Sequence, residues 1–281
     1  MMKKITIIAA LLILIGVIGS LFTFKNGNFK STVIDEKVIE TNDVKQVKVE
    51  TDNVNLKVES TSDDKASVTL IGNESSTLTV NVEDTILHIQ SNAEKQRLFS
   101  FDFFPREFEL TVSLPEEIYE TIDVSSQNGY ISMEKLEAEY FNSTAKNGRV
   151  NLDTIQGGTI DLHSNNGRIE ANNIFADELD INADNGRISL TNIEASITGK
   201  TNNGKITLHQ EKLLHRTELH SDNGKIDVTL DEKPNHILYD LTSHNGKVTV
   251  FGEKNWDIQV GDGKPLLKLS SNNGKITIGD E

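Results

Sequence analysis

The 281-residue sequence contains no cysteine. That excludes a disulfide framework, a thiolate metal site and a lipidated cysteine anchor. Aromatic residues are scarce at 6%, with one Trp, and there are four prolines. A core from such a chain is built of aliphatic side chains, which suits many short strands better than thick helices. Bases are outnumbered, 28 Lys and Arg against 43 Asp and Glu, for a net charge of −15. Nucleic acid is therefore not an expected partner, because its phosphates would be repelled overall. Beyond the N-terminal run described below, no stretch carries a helical 3.6-residue stripe. There is no glycine-rich phosphate loop after a strand, no nucleophile elbow and no paired Ser/His/Asp pattern. The seven histidines are scattered without zinc-ligand spacing. No catalytic, metal or cofactor residue is expected, and the protein is read as not an enzyme.

What is present begins with "MMKK" and the 20 uncharged residues Ile5 to Phe24. At about 1.5 Å per residue, such a run is long enough to cross the ~30 Å hydrocarbon layer. The apolar run passes the weak small-residue exit at "VIGS", which favours an uncleaved signal anchor over a cleaved signal peptide. Lys3 and Lys4 precede it and Lys25 and Lys30 follow it, so local bases do not set the orientation. A short tail before a long domain favours the tail inside and the domain outside. Residues 25–43 are polar and read as a spacer.

From residue 44 the period is two. "VKVETDNVNLKV" alternates Val47 and Val49, then Leu56 and Val58, and "FELTVSL" alternates Phe108, Leu110, Val112 and Leu114. Eight Asn-Gly pairs then recur: Asn128-Gly129, Asn147-Gly148, Asn166-Gly167, Asn185-Gly186, Asn203-Gly204, Asn223-Gly224, Asn245-Gly246 and Asn273-Gly274. Their spacings are 19, 19, 19, 18, 20, 22 and 28 residues, a repeat signature. Two before each Asn is a small residue, such as Ser126, Ala145 and Ser164. Three after it is Ile or Val throughout, as in Ile131, Val150 and Ile169. A second mark lies eight after the Asn in the first four copies: Leu136, Ile155, Ile174 and Ile193.

Two architectures fit. An Asn-Gly pair between alternating strands is a hairpin signal, and a meander of hairpins would satisfy it. A parallel β-solenoid with one copy per coil explains more, because stacking coils about 4.8 Å apart rewards the same residue type at every offset. The expected fold is therefore an all-β, parallel β-solenoid of ~19-residue coils. Each Asn lies over the previous one and donates to the one above in an amide ladder, and each Gly supplies a positive φ. Around Asn53 an earlier copy keeps the register, with Val54 where Gly is expected. Residues 44–115 read as irregular opening coils and 116–281 as the regular repeats. The last coil, ending "ITIGDE", reads as a C-terminal edge capped by little except charge.

"ELTVSLPEEIYETIDVSSQNGYI", the recurring "NG[RK][IV]" copies and the N-terminal apolar segment resemble the bacterial "putative adhesin" β-strand-repeat proteins, and within them the LiaG-like membrane-anchored envelope proteins. The resemblance covers nearly the whole chain. It implies a right-handed β-helix-like fold, an extracytoplasmic position at the cell membrane and, for LiaG-like members, a link to envelope stress. It carries over no catalytic or ligand residue.

Three groups of side chains stand out. The base after each Asn-Gly, namely Arg149, Arg168, Arg187, Lys205, Lys225, Lys247 and Lys275, forms one outward column and is the candidate site for an anionic envelope polymer. Tyr130 takes that place in the first copy, and the bland alternative is a solvated edge that resists aggregation. Five before each Asn runs a mostly acidic column with Asp161 and Asp180 on adjacent coils, which no glycine-aspartate calcium repeat accompanies. "LFSFDFFPREF" gathers Phe99, Phe101, Phe103, Phe104 and Phe108, a candidate partner patch or a hydrophobic plug at the opening end. The expected role is a membrane-anchored binding or scaffold protein of the bacterial cell envelope, with an unidentified envelope polymer or membrane protein as partner. The alternatives are a regulatory partner of a membrane sensor protein, and an enzyme acting on an envelope polysaccharide through the aspartate column.

Overall fold

The computed structural model describes residues 32–72, 76–93 and 108–280, and the isolated Gly16. The apolar run Ile5–Phe24 lies outside them apart from that glycine, as do Phe99, Phe101, Phe103 and Phe104. Among the described residues no helix is long and apolar enough to cross a membrane. The chain divides into the units Met1–Thr32 and Val33–Glu281, and the second is described here.

Its opening strands are β1 (Thr32–Glu40), β2 (Gln46–Asp52), β3 (Asn55–Thr61), β4 (Lys65–Gly72), β5 (Ser76–Glu83), β6 (Ile86–Ala93), β7 (Glu109–Pro115) and β8 (Ile118–Ser126). Four long strands follow: β9 (Tyr130–Ala145), β10 (Arg149–Ser164), β11 (Arg168–Ala183) and β12 (Arg187–Thr201). Shorter ones close the array: β13 (Ile206–Gln210), β14 (Thr217–Ser221), β15 (Ile226–Leu230), β16 (Ile237–Ser243), β17 (Val248–Val250), β18 (Gln259–Val260), β19 (Leu266–Ser271) and β20 (Ile276–Gly279). β1 falls inside the segment read from sequence as a spacer and pairs with β4. Its charged residues and broken alternation are those of an edge strand, which is why the period was not visible.

The regular coils are parallel and in register: Ile131 faces Val150, Val150 faces Ile169, and Ile169 faces Ile188. This is the solenoid, not the meander. Within β10 the buried residues are Val150, Leu152, Ile155, Ile160, Leu162 and Ser164. The parity of burial changes after Leu152 and again after Ile155, so the coil bends at both places while its aliphatic face stays inward. The first bend is made by a residue in the left-handed region: Lys135 (φ 54°), Thr154 (57°), Asn173 (54°) and Asn192 (54°) in successive coils. A non-glycine residue resists that conformation by about 1–2 kcal/mol, and Asn resists it least. In two coils the side chain compensates. Asn173 Nδ2 donates to Asp153 Oδ1 at 3.1 Å, and Asn192 Nδ2 donates to Asn173 Oδ1 at 3.2 Å.

The Asn-Gly corners differ from expectation in one respect. None of their glycines has a positive φ; among the described residues the positive-φ glycines are Gly252, Gly261 and Gly263. The glycines are required by close approach instead. A β-carbon on Gly167 would overlap the carbonyl oxygen of Gly148, and one on Gly204 would overlap that of Gly186. The ladder continues through the corner: Asn147 N–H donates to Gln127 C=O at 2.9 Å, and Asn166 N–H to Lys146 C=O at 2.9 Å. In the degraded copy Asn53 itself takes the positive φ, 58°, and Val54 is fully buried with its carbonyl beneath Gly129.

The order of coils in space departs from the order in sequence at both ends. β2 lies between β6 and β8, and β3 between β7 and β9, all parallel. β4 and β5 pair antiparallel with β7 and β6. At the other end β14 and β15 pair with β19 and β20, and these in turn with β16 and β17. The segment ending at Gly279 is therefore an interior coil, not the weakly capped edge read from sequence. The coil of β16 and β17 is outermost. Its long connection carries Phe251, Trp256 and Val260 against the core, with β18 antiparallel to β16. That connection accounts for the 28-residue spacing.

Candidate functional site

The corner asparagines form one continuous ladder. Asn128 Nδ2 donates to Asn53 Oδ1 at 3.1 Å, Asn147 to Asn128 at 3.0 Å, Asn166 to Asn147 at 3.0 Å and Asn185 to Asn166 at 3.1 Å. Asn203 donates to Asn185 at 2.8 Å and Asn223 to Asn203 at 3.0 Å. The last two steps follow space rather than sequence: Asn273 donates to Asn223, and Asn245 to Asn273, both at 2.9 Å. In the regular coils each amide donates to the preceding coil, the reverse of the direction expected. Beneath the ladder the small residues hold the glycines: Ser221 Oγ donates to Gly204 C=O at 3.1 Å, and Ser271 Oγ to Gly224 C=O at 3.0 Å.

This scaffold fixes the bases one residue beyond each glycine. Tyr130, Arg149, Arg168 and Arg187 are register partners in turn. Backbone bonds carry the column on: Ile188 N–H donates to Lys205 C=O, Ile206 to Lys225, Ile226 to Lys275 and Ile276 to Lys247. All seven bases thus share one column, in the spatial order Arg149, Arg168, Arg187, Lys205, Lys225, Lys275, Lys247. The Arg149 guanidinium stands 5.9 Å from the Tyr130 ring centroid. Arg168 pairs with Glu170 at 2.9 Å and Lys205 with Asp227 at 2.7 Å. Among the described residues no carboxylate is within ion-pair distance of Arg187, Lys225, Lys275 or Lys247.

The acidic column is more mixed. Lys48 precedes Asp123 in register, and Asn142 donates to Asp123 Oδ1 at 2.9 Å. Asp161 and Asp180 are register partners on adjacent coils. Burial, and then the Asp180 charge, push the Asp161 carboxyl above its ordinary range. Further along, Glu218 is held below that range, chiefly by its hydrogen bond from Arg216. Lys268 also approaches Glu218, at 3.6 Å. His163 and His220 are separated in register by Asn182 and Lys200, three coil steps in all. Among the described residues no group of three or more His, Asp or Glu side chains is placed to hold a metal. Phe108, the described member of the phenylalanine cluster, is half-buried against the core.

The pattern of columns did not include a second set of bases at the corner away from the Asn-Gly turns. After Gln210 the tight corner opens into loops. The Gln210 side chain fills the gap, accepting from Ile193 N–H at 2.9 Å and donating to Ile193 C=O at 2.6 Å. Lys212, Lys233 and Lys264, one from each of three such loops, line one cavity of about 620 Å³. The sequence signal was a repeated pair, Lys212-Leu213, Lys233-Pro234 and Lys264-Pro265.

The family model of the Toastrack DUF4097 proteins matches residues 44–279, from the coil of β2 to the end of β20. This chain belongs to the Toastrack DUF4097 family. Solved structures of low identity are similar to it. A "putative adhesin" from Bacteroides fragilis NCTC 9343 superposes with a TM-score of 0.52 at 13% identity, covering 90% of this chain and 98% of that one. A "putative lipid binding protein" from Parabacteroides distasonis ATCC 8503 gives a TM-score of 0.49 at 16% identity, with 90% and 98% covered. No curated protein matches the sequence. As a Toastrack protein, the chain is an all-β stack whose columns, not its loops, repeat.

Proposed function

We propose that this protein is a non-catalytic binding scaffold of the bacterial cell envelope. The apolar run Ile5–Phe24 anchors it as a single-pass signal anchor, and the right-handed β-solenoid stands outside the membrane. Its base column engages an anionic envelope polymer such as a teichoic acid. The observation that supports this most is the unbroken order of seven bases at one-strand spacing, five of them without a carboxylate partner among the described residues. In a chain of net charge −15, so regular a cationic row is a specific display. Its rise of about 4.8 Å per coil lets a flexible polyanion meet several bases at once. The LiaG-like sequence features extend this to a role in the response to envelope stress. Against catalysis, among the described residues no third acid or histidine joins the Asp161–Asp180 pair in a metal-holding group.

The test is binding of full-length protein in neutral nanodiscs to poly(glycerol phosphate). Replacing Arg187, Lys225, Lys247 and Lys275 with Gln should weaken binding about tenfold or more, and the salt dependence should flatten. Unchanged affinity and salt dependence would sink the polymer reading.

A further inference from the structure

The loops that replace the tight corner after Gln210 place three lysines and an apolar wall around one cavity. Each loop carries a Lys followed by an apolar residue: Lys212-Leu213 after β13, Lys233-Pro234 after β15, and Lys264-Pro265 just before β19. The three come together because β13, β15 and β20 stack in register on one side, and β14, β19 and β16 on the other. The connections must then bulge at the same corner. The cavity, about 620 Å³, is open to solvent and of ordinary ligand size.

Its charges are unevenly satisfied. Lys212 pairs with Glu232 at 3.1 Å, the one carboxylate of the lining. Arg216, at the rim, is committed to Glu218. His236 is held by the loop itself: Asp262 N–H donates to its Nδ1 at 3.1 Å, and the Asp262 carboxylate lies 3.2 Å away. That leaves Lys233 and Lys264 with no carboxylate partner among the described residues. The Lys233 ammonium stands 5.0 Å from the Phe251 ring centroid. Beside these two cations stand Pro234, Pro265 and Leu214, and Leu214 is 66% exposed. A large aliphatic side chain facing water beside two ammonium groups without a carboxylate partner suits a ligand with an anionic head and an apolar body. It does not suit a polar polyanion, which would gain nothing from the leucine.

We propose that this cavity binds a phosphorylated amphiphile, its phosphate received by Lys233 and Lys264 and its hydrocarbon part laid on Leu214, Pro234 and Pro265. The site is separate from the base column and does not depend on it. Phosphate held by ammonium groups forms charge-assisted hydrogen bonds, and the apolar part adds burial that inorganic phosphate cannot. The same chemistry is offered by a bilayer phospholipid head with its first methylenes and by a free phosphorylated lipid.

The experiment is calorimetric titration of full-length protein in phosphatidylcholine nanodiscs with hexyl phosphate, hexanol and inorganic phosphate. Hexyl phosphate should bind about tenfold or more tightly than either fragment. Lys233→Gln with Lys264→Gln should weaken hexyl phosphate and inorganic phosphate alike. Leu214→Ser should weaken hexyl phosphate and leave inorganic phosphate unchanged. Lys225→Gln with Lys247→Gln, an equal charge change in the base column, should change neither. The proposal is overturned if hexyl phosphate binds no better than inorganic phosphate, or if the column variant weakens it as much as the loop variant. Displacement of hexyl phosphate by vesicles containing phosphatidic acid, but not by pure phosphatidylcholine vesicles, identifies bilayer lipid as the source. Failure of both to displace it identifies a free amphiphile, and both results uphold the site.

Discussion

Asn273 donates its side-chain amide to Asn223 at 2.9 Å across 50 residues, passing over Asn245, its predecessor among the Asn-Gly pairs. The last coil is thus stacked on the 223 coil, and Asn245 is held from below by Asn273. The ladder is one physical object although the chain visits it out of order.

Each interior rung is held by two amide bonds. Asn166→Ala removes the bonds to Asn147 and from Asn185. At about 0.5–1.5 kcal/mol each, it should cost about 1–3 kcal/mol. Asn245→Ala, at the spatial end, removes one bond and should cost roughly half as much. Urea midpoints of the two variants, compared at equal slope, check the ratio.

The glycines give a sharper contrast. A β-carbon on Gly204 would overlap the Gly186 carbonyl, whereas one on Gly279 would meet nothing within 4 Å. Gly204→Ala should destabilise by about 1–3 kcal/mol or more, as overpacking does, and Gly279→Ala should be neutral. If both are neutral, the coils are not in the contact described. If Gly204→Ala alone is costly, close approach is the cause, since neither glycine has a positive φ.

Gln210 stands in for a missing strand at Ile193. Gln210→Leu leaves a buried N–H and a buried C=O unpaired and should cost about 2–4 kcal/mol in denaturant unfolding. Gln210→Glu can accept from Ile193 N–H but, when ionised, cannot donate to the carbonyl. Its burial raises the folded-state pKa, so its stability should be recovered in acid and lost as pH rises through that pKa. A pH series of melting temperatures that runs parallel to wild type would refute the pairing.

Asp161 carries the same sign naturally. Burial first, and Asp180 second, favour its protonated form in the folded state. The ionised form therefore costs stability at neutral pH, and that cost disappears below the ordinary aspartate pKa of about 3.9. Asp161→Asn should raise the melting temperature slightly at pH 7 and leave it unchanged near pH 3. A larger gain in acid than at neutrality would contradict the assignment.

Much of this was legible in the residues. The recurring apolar offsets, such as Val150, Ile169 and Ile188, specify stacked coils because only stacking makes one offset equivalent in every copy. The base column and the Asp161–Asp180 neighbours followed from the same arithmetic. Two things did not. The glycine role was misassigned because a positive φ and a missing β-carbon leave the same letter in the sequence. Only the position of the Gly148 carbonyl beneath Gly167 separates them. The coil order at the ends was hidden because Asn245 and Asn273 carry the same local motif, and register alone cannot say which lies beneath the other. The lysine cavity was missed for a related reason. Lys212, Lys233 and Lys264 lie 9, 10 and 19 residues after Asn203, Asn223 and Asn245, so they share no offset from their Asn-Gly pairs.

The interleaving of β19 and β20 beneath β16 and β17, mirrored by β2 and β3 above β6 and β7, bears on how the stack is assembled. A simple solenoid can grow and unzip one coil at a time from either end. The coil of β16 and β17 cannot seat until a later stretch of chain has slipped in behind it, so that step spans distant sequence and is slowed by loop closure. Unravelling meets the same obstacle in reverse. The segment ending at Gly279 is gripped on both faces, and the exposed coil of β16 and β17 is joined by its connections on either side to strands inside the stack. The two ends behave as latches and not as loose hems.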